Sequence, residues 1–264
     1  LIQRTLEGSG KVLLEGPQSF YLSNAIDTHW RSSTSADTTS AGIKAAAGYN
    51  TDRYTTATIN VHKTPGSSRV GNGANPAGFV PQDYFSKRDI QTLQDLVGVC
   101  EDFDVIQQQY FASIGENGIL EVTDYTDSDG SVYPINVAMA IASAKTFGER
   151  GATTLKPRIT GLFDCVAHHK VNAAQGPFLT ISAFDRGDSC DHFGLIVGYV
   201  VSDTNGDELI ANGRTYKRGD VIRPGDEMPS ERVLEHCSPI IKKLDGWKGT
   251  PINAVQFEGK LPRQ

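Results

Sequence analysis

Short apolar runs of strand length alternate with helix-patterned stretches along most of this chain, and that alternation is the strongest restriction on its fold. Strands joined through helices stack into a layered sheet, so the pattern predicts an α/β architecture of sheet flanked by helices. Lys11–Glu15 reads as a buried strand entered from the turn Gly8-Ser9-Gly10, and Thr55–Val61 alternates like a second strand. Phe178–Phe184 and Leu195–Val201 are apolar enough for fully buried strands. Helices are expected over Ser86–Asp102, with Ile90, Leu93, Leu96 and Val97 on one face, and over Val137–Ala144 and Phe163–Ala173. Asp37 is placed to cap a further helix through Ala41, Ala45 and Ala46. Ile119–Tyr125 and Val132–Ile135 flank Asp127-Ser128-Asp129-Gly130, the signal of an antiparallel hairpin excursion. Ser19–Thr39, Pro65–Gly78 and Gly148–Gly161 read as loops, Asn205-Gly206-Asp207 as a turn and Pro251–Phe257 as a last strand. Residues 1–264 are read as a single domain.

Composition removes several classes of function. With 38% hydrophobic and 21% charged residues, the chain is neither fibrous nor wholly disordered. The longest apolar-leaning stretch, Ile135–Ala144, is broken by Asn136 and Ser143, so no membrane segment is expected and the protein reads as soluble. The net charge of -6 and the lack of a dense basic run argue against nucleic acid, whereas a free nucleotide needs only a few local cations. Cys100, Cys165, Cys190 and Cys237 lie far apart without a C-x-x-C pair, which predicts reduced thiols and a cytoplasmic protein. The chain begins at Leu1 and its only methionines are Met139 and Met228, so part of the natural protein is expected to be absent from it.

Gly8-Ser9-Gly10-Lys11 lacks the first glycine and the hydroxyl residue of a phosphate loop and reads as a turn. Cys165, His168, His169, Cys190 and His192 have zinc-ligand chemistry at no standard spacing, and Asp164 and His168 could pair on one helix face. Asp124, Asp127 and Asp129 lack the closing Glu of a calcium loop. Arg69–Pro76, with Gly71 and Gly73, could bring backbone amides close to a ligand. Gly151-Ala152-Thr153-Thr154-Leu155-Lys156-Pro157-Arg158 joins hydroxyls to two cations, the combination a carboxylate or phosphate requires.

Four segments in order resemble the adenylosuccinate synthetase family. Val12–Gln18 resembles its strand and EGxQ motif, Ser32–Gly42 its hydroxyl-rich loop, Ser68–Gly73 its TRVG-type turn, and Gly151–Asp164 its GATTGRxR…GWxD block. The resemblance implies an α/β fold and a ligase of purine biosynthesis that joins L-aspartate to the 6-position of a purine mononucleotide such as IMP, with hydrolysis of GTP or ATP, Mg²⁺ as cofactor and a homodimeric assembly. It places Gln18, Ser33, Thr34, Val70 and Lys156 at the purine nucleotide. Ala152, Thr153, Thr154 and Arg158 fall at aspartate, and Arg158, Asp185 and Gly259 at the nucleoside triphosphate. The family's phosphate loop, catalytic Asp and His and metal ligands belong to an N-terminal half without a counterpart here, so no catalytic residue is expected in this chain and the chain alone is expected to be inactive. Lys156 replaces the loop's first arginine, Thr180–Asp185 stands where the family reads guanine with TKLD, and Gln256–Gly259 replaces its closing turn. These departures leave two alternatives: a phage-type variant using dGMP and an adenine donor, or a non-catalytic nucleotide-binding relative.

Overall fold

The computed structural model describes residues 2–249 except 17, 27–31, 49–52, 65, 69–72 and 207. Its core forms around helix α4 (Ile135–Thr146), in which every residue from Val137 to Ala144 is buried. Helix α3 (Phe103–Ala112), capped by the Asp102 carboxylate on the Val105 N–H, packs on α4 through Ile106, Tyr110 and Phe111. Strands β3 (Asp124–Thr126) and β4 (Val132–Pro134) form the predicted antiparallel hairpin and lead directly into α4.

A four-stranded sheet lies beside these helices. Its centre is β8 (His192–Val201), paired antiparallel with β11 (Val221–Ile222) and β12 (Cys237–Asp245) and parallel with β6 (Phe163–Asp164). Helix α5 (Cys165–Gln175) follows β6 without a loop and packs against β8. Ser143, fully buried on α4, hydrogen-bonds Thr160 on β5 (Thr160–Gly161), and β5 pairs with β2 (Ser67–Ser68). α1 (Ile2–Glu7) and α2 (Ser40–Ala46) bury no residue, whereas the ribbon of β9 (Leu209–Ala211) and β10 (Arg214–Tyr216) and the short α6 (Glu231–Leu234) add Leu209, Tyr216, Val233 and Leu234 to the core.

A separate parallel pair joins β1 (Ile59–Lys63) to β7 (Phe178–Ser182) in the register Ile59↔Phe178 through Lys63↔Ser182. Asn60 and His62 turn inward, and the Asn60 amide donates to the Gly176 carbonyl at 2.9 Å at the end of α5. On the opposite face Ile59, Val61 and Phe178 are more than half exposed, although parallel strands are normally covered on both sides.

The mixed α/β class agrees with the sequence reading, as do α4, α5, the hairpin and β8. Other elements differ. Lys11–Glu15 forms no strand, and Leu13 is exposed. Ser86–Asp102 is not one helix: it holds 3-10 turns at Ser86–Arg88 and Leu93–Leu96, broken by left-handed Asp89, Gly98 and Cys100. Leu96 is buried all the same, so the apolar spacing reports packing rather than helix. β7 forms but is exposed along its whole length. The cap of α2 is Thr39, whose hydroxyl accepts the Gly42 N–H, while Asp37 instead accepts from Thr39 N–H and Ser23 Oγ. The hydroxyl-rich Ser19–Thr39 stretch is not wholly superficial, since Phe20, Leu22 and Ser23 are buried. Pro251–Phe257 lies outside the described residues.

Candidate functional site

A cleft of about 1230 Å³ runs between the Lys11–Leu22 segment, β1, β2 and α5. Gln18, Thr38, His62, Ser68, Asp164 and His168 all line it. Thr38 donates to the Ser19 carbonyl at 2.8 Å, and the Thr34 N–H donates to the Leu22 carbonyl at 2.7 Å. The hydroxyl-rich loop is thereby fastened to the segment that carries Gln18.

Local chemistry sets the rear of the cleft. Asp164 is buried; one carboxylate oxygen accepts the Ala167 N–H and caps α5, and the other accepts the Tyr199 hydroxyl. Burial raises its pKa despite these hydrogen bonds. His168 does not pair with Asp164. Its ring meets His62 at 4.0 Å and Phe163 at 4.3 Å, and its Nδ1 and the Nε2 of His62 make no hydrogen bond among the described residues. Burial, then the neighbouring His62, pushes the His168 pKa down to about 3, so it is neutral at physiological pH.

Gly151–Arg158 forms a narrow loop projecting from the end of α4. The Gly151 N–H donates to the Lys156 carbonyl and the Leu155 N–H to the Gly151 carbonyl, while Arg150 and Pro157 form a bridge across its base. A side chain on Gly151 would stand 2.4 Å from Thr154 Oγ1, so glycine lets that hydroxyl lie close against the loop's first residue. Ala152, Thr153, Thr154 and Lys156 are exposed along it. At its root Glu149 is buried, with Lys63 Nζ at 2.6 Å, Ser68 Oγ at 2.8 Å, Arg186 Nη2 in contact and Arg158 Nη1 at 3.9 Å. Burial alone would raise the Glu149 pKa, but the donors from Lys63, Arg186 and Ser68 outweigh it and hold it below the usual carboxylate range.

The geometry groups some predicted residues and separates others. Gln18 opens on the cleft, whereas Ser33, Thr34, Ala152–Arg158 and Asp185 do not line it. The loop meets the cleft wall through Glu149 and Ser68. Asp185 is exposed on the 3-10 turn Phe184–Ser189, next to the Arg186 that reaches Glu149. Val70 and Gly259 fall outside the described residues. Sequence reasoning passed over Lys63, Glu149 and Arg186 and gave Ser68 no role beyond its turn; the available signal was a lone Glu two residues before the glycine that starts the loop.

Among the described residues no three His, Cys, Asp or Glu side chains converge on a possible metal position. Cys165, His168 and His169 form no such group among the described residues, and these residues do not by themselves fit magnesium. Asp127 and Asp129 spend their carboxylates on the backbone N–H groups of Cys100, Ser128 and Ser131. All four cysteines are free thiols.

A family model described as adenylosuccinate synthetase matches residues 1–264. Adenylosuccinate synthetase of Trypanosoma brucei gambiense (strain MHOM/CI/86/DAL972) is 53% identical over 268 residues, covering 99% of this chain and 44% of that protein. The Leishmania major enzyme of the same name is 51% identical over 261 residues, covering 96% of this chain and 37% of the relative. The chain thus spans less than half the length of these curated relatives. Among solved structures, fully ligated adenylosuccinate synthetase from Plasmodium falciparum aligns with a TM-score of 0.56 at 19% identity, over 94% of this chain and 41% of that one, a likeness of fold.

Proposed function

This chain belongs to the adenylosuccinate synthetase family, and we propose that it forms part of a ligase joining L-aspartate to the 6-position of a purine mononucleotide, IMP foremost, at the expense of GTP or ATP. One observation carries the reading: an exposed hydroxyl- and cation-bearing loop is anchored through buried Glu149 to the wall of a cleft that contains Gln18. The chemistry has two steps. The γ-phosphoryl group moves to the purine 6-oxygen, breaking its bond to the nucleoside diphosphate. The aspartate amine then bonds to C6 and expels that oxygen as phosphate, losing a proton.

This chain's part is binding and orientation. Gln18 is assigned to the purine 6-position, Ser33 and Thr34 to the 5′-phosphate, and Val70 and Lys156 to the same nucleotide. Thr153 and Thr154 supply short donors to the aspartate carboxylate beside the Ala152 backbone, and Arg158 supplies the planar charge that such an anion prefers. Arg158, Asp185 and Gly259 are assigned to the triphosphate. The proton-transfer groups and magnesium ligands are assigned to protein outside the described residues. The family further points to a cytoplasmic homodimer, and no described helix is long and apolar enough to cross a membrane.

The test mixes full-length protein carrying this chain with IMP or dGMP, aspartate, Mg²⁺ and GTP or ATP, and follows the absorbance of the succinyl-purine. A rise with IMP that requires aspartate and triphosphate is expected. Nucleotide binding without turnover in every combination would replace the ligase reading with that of a binding module.

A further inference from the structure

We propose that Glu149 is the positioning residue of the Gly151–Arg158 loop: its buried carboxylate holds the loop's root to the cleft wall and presents Arg158 to an incoming carboxylate. The inference rests on the aspartate reading only for the identity of that second anion. Four side chains from separate segments converge on Glu149. Oε1 takes Lys63 of β1 at 2.6 Å and Arg186 of the 3-10 turn; Oε2 takes Ser68 of β2 at 2.8 Å and leaves Arg158 at 3.9 Å. The backbone closes the same junction, since the Glu149 N–H donates to Ala144 of α4 at 2.8 Å and its carbonyl accepts the Arg158 N–H at 2.9 Å.

Charge explains why this is more than a structural ion pair. Three cations share one carboxylate, so the cluster keeps an excess of positive charge. Lys63 and Arg186 hold the carboxylate closely, whereas Arg158 sits at the limit of ion-pair distance with its side chain 31% exposed. Its remaining guanidinium donors are available to a second carboxylate, which a bidentate fork accepts readily. A neutral residue at 149 would leave three unpaired cations and free the loop's root.

Hydrogen exchange on full-length protein carrying this chain tests this without requiring turnover, so it is independent of the ligase reading. In Glu149→Gln, the amides of residues 150–156 and 158 should exchange about tenfold faster while those of α4 are unchanged. Glu149→Asp, which keeps the charge but shortens its reach, should raise loop exchange less and serves if the glutamine variant does not fold. In the full-length enzyme Glu149→Gln should raise KM for aspartate about fivefold or more, with the nucleotide KM within about twofold. Unchanged loop exchange, or equal increases in loop and α4, would overturn the proposal.

Discussion

Ser68 Oγ donates to Glu149 Oε2 at 2.8 Å, joining a residue of the cleft wall to the base of the projecting loop. Ser68→Ala removes one donor from a buried carboxylate and is expected to cost about 1–2 kcal/mol at neutral pH. Because Glu149 has a lowered pKa in the folded state, its contribution is full above the unfolded carboxylate value and is lost as pH falls through the folded one. The gap between wild type and Ser68→Ala in chemical unfolding should therefore narrow below about pH 4.5. A gap independent of pH would show that the carboxylate is not what Ser68 stabilises.

His168 should make the protein acid-sensitive in a different window. Its folded pKa of about 3 lies below the unfolded value, so as pH falls the unfolded chain takes up a proton that the folded one refuses. Stability is lost from about pH 6.5 downward, at up to about 1.4 kcal/mol per pH unit. Between about pH 7.5 and 5.5 the unfolding free energy from urea titration should fall about 1 kcal/mol further for wild type than for His168→Leu. Equal falls would contradict the half-buried, neutral imidazole.

Tyr199 is the hydroxyl donor to Asp164, and both are buried. Tyr199→Phe keeps the ring and leaves a desolvated carboxylate oxygen short of a donor, which should cost about 1–3 kcal/mol in chemical unfolding. An effect within about 0.3 kcal/mol would show that Asp164 finds another donor or binds a proton there at no cost.

What could be read from sequence divides along physical lines. α4 and the Asp127–Gly130 hairpin were legible because local signals agree with their burial: an apolar run for the helix, a left-handed Gly130 for the turn. Ser86–Asp102 misled because Leu93 and Leu96 of the second 3-10 turn and Ile90 of the link before it pack against the core, so the spacing recorded contact with the core. Phe178–Ser182 carries the apolarity of a covered strand, yet none of its residues is buried in this chain. At the site, the loop's hydroxyls and cations were visible as a motif. Glu149 was not, because its partners Lys63, Ser68 and Arg186 come from distant segments and meet only after folding.

The central claim, that the Gly151–Arg158 loop is the arm that receives aspartate, is tested most directly by steady-state kinetics of Arg158→Ala in full-length protein carrying this chain. Loss of a charge-assisted contact predicts a rise of about tenfold or more in KM for aspartate, with KM for the purine mononucleotide within about twofold. Equal rises for both substrates would contradict the assignment.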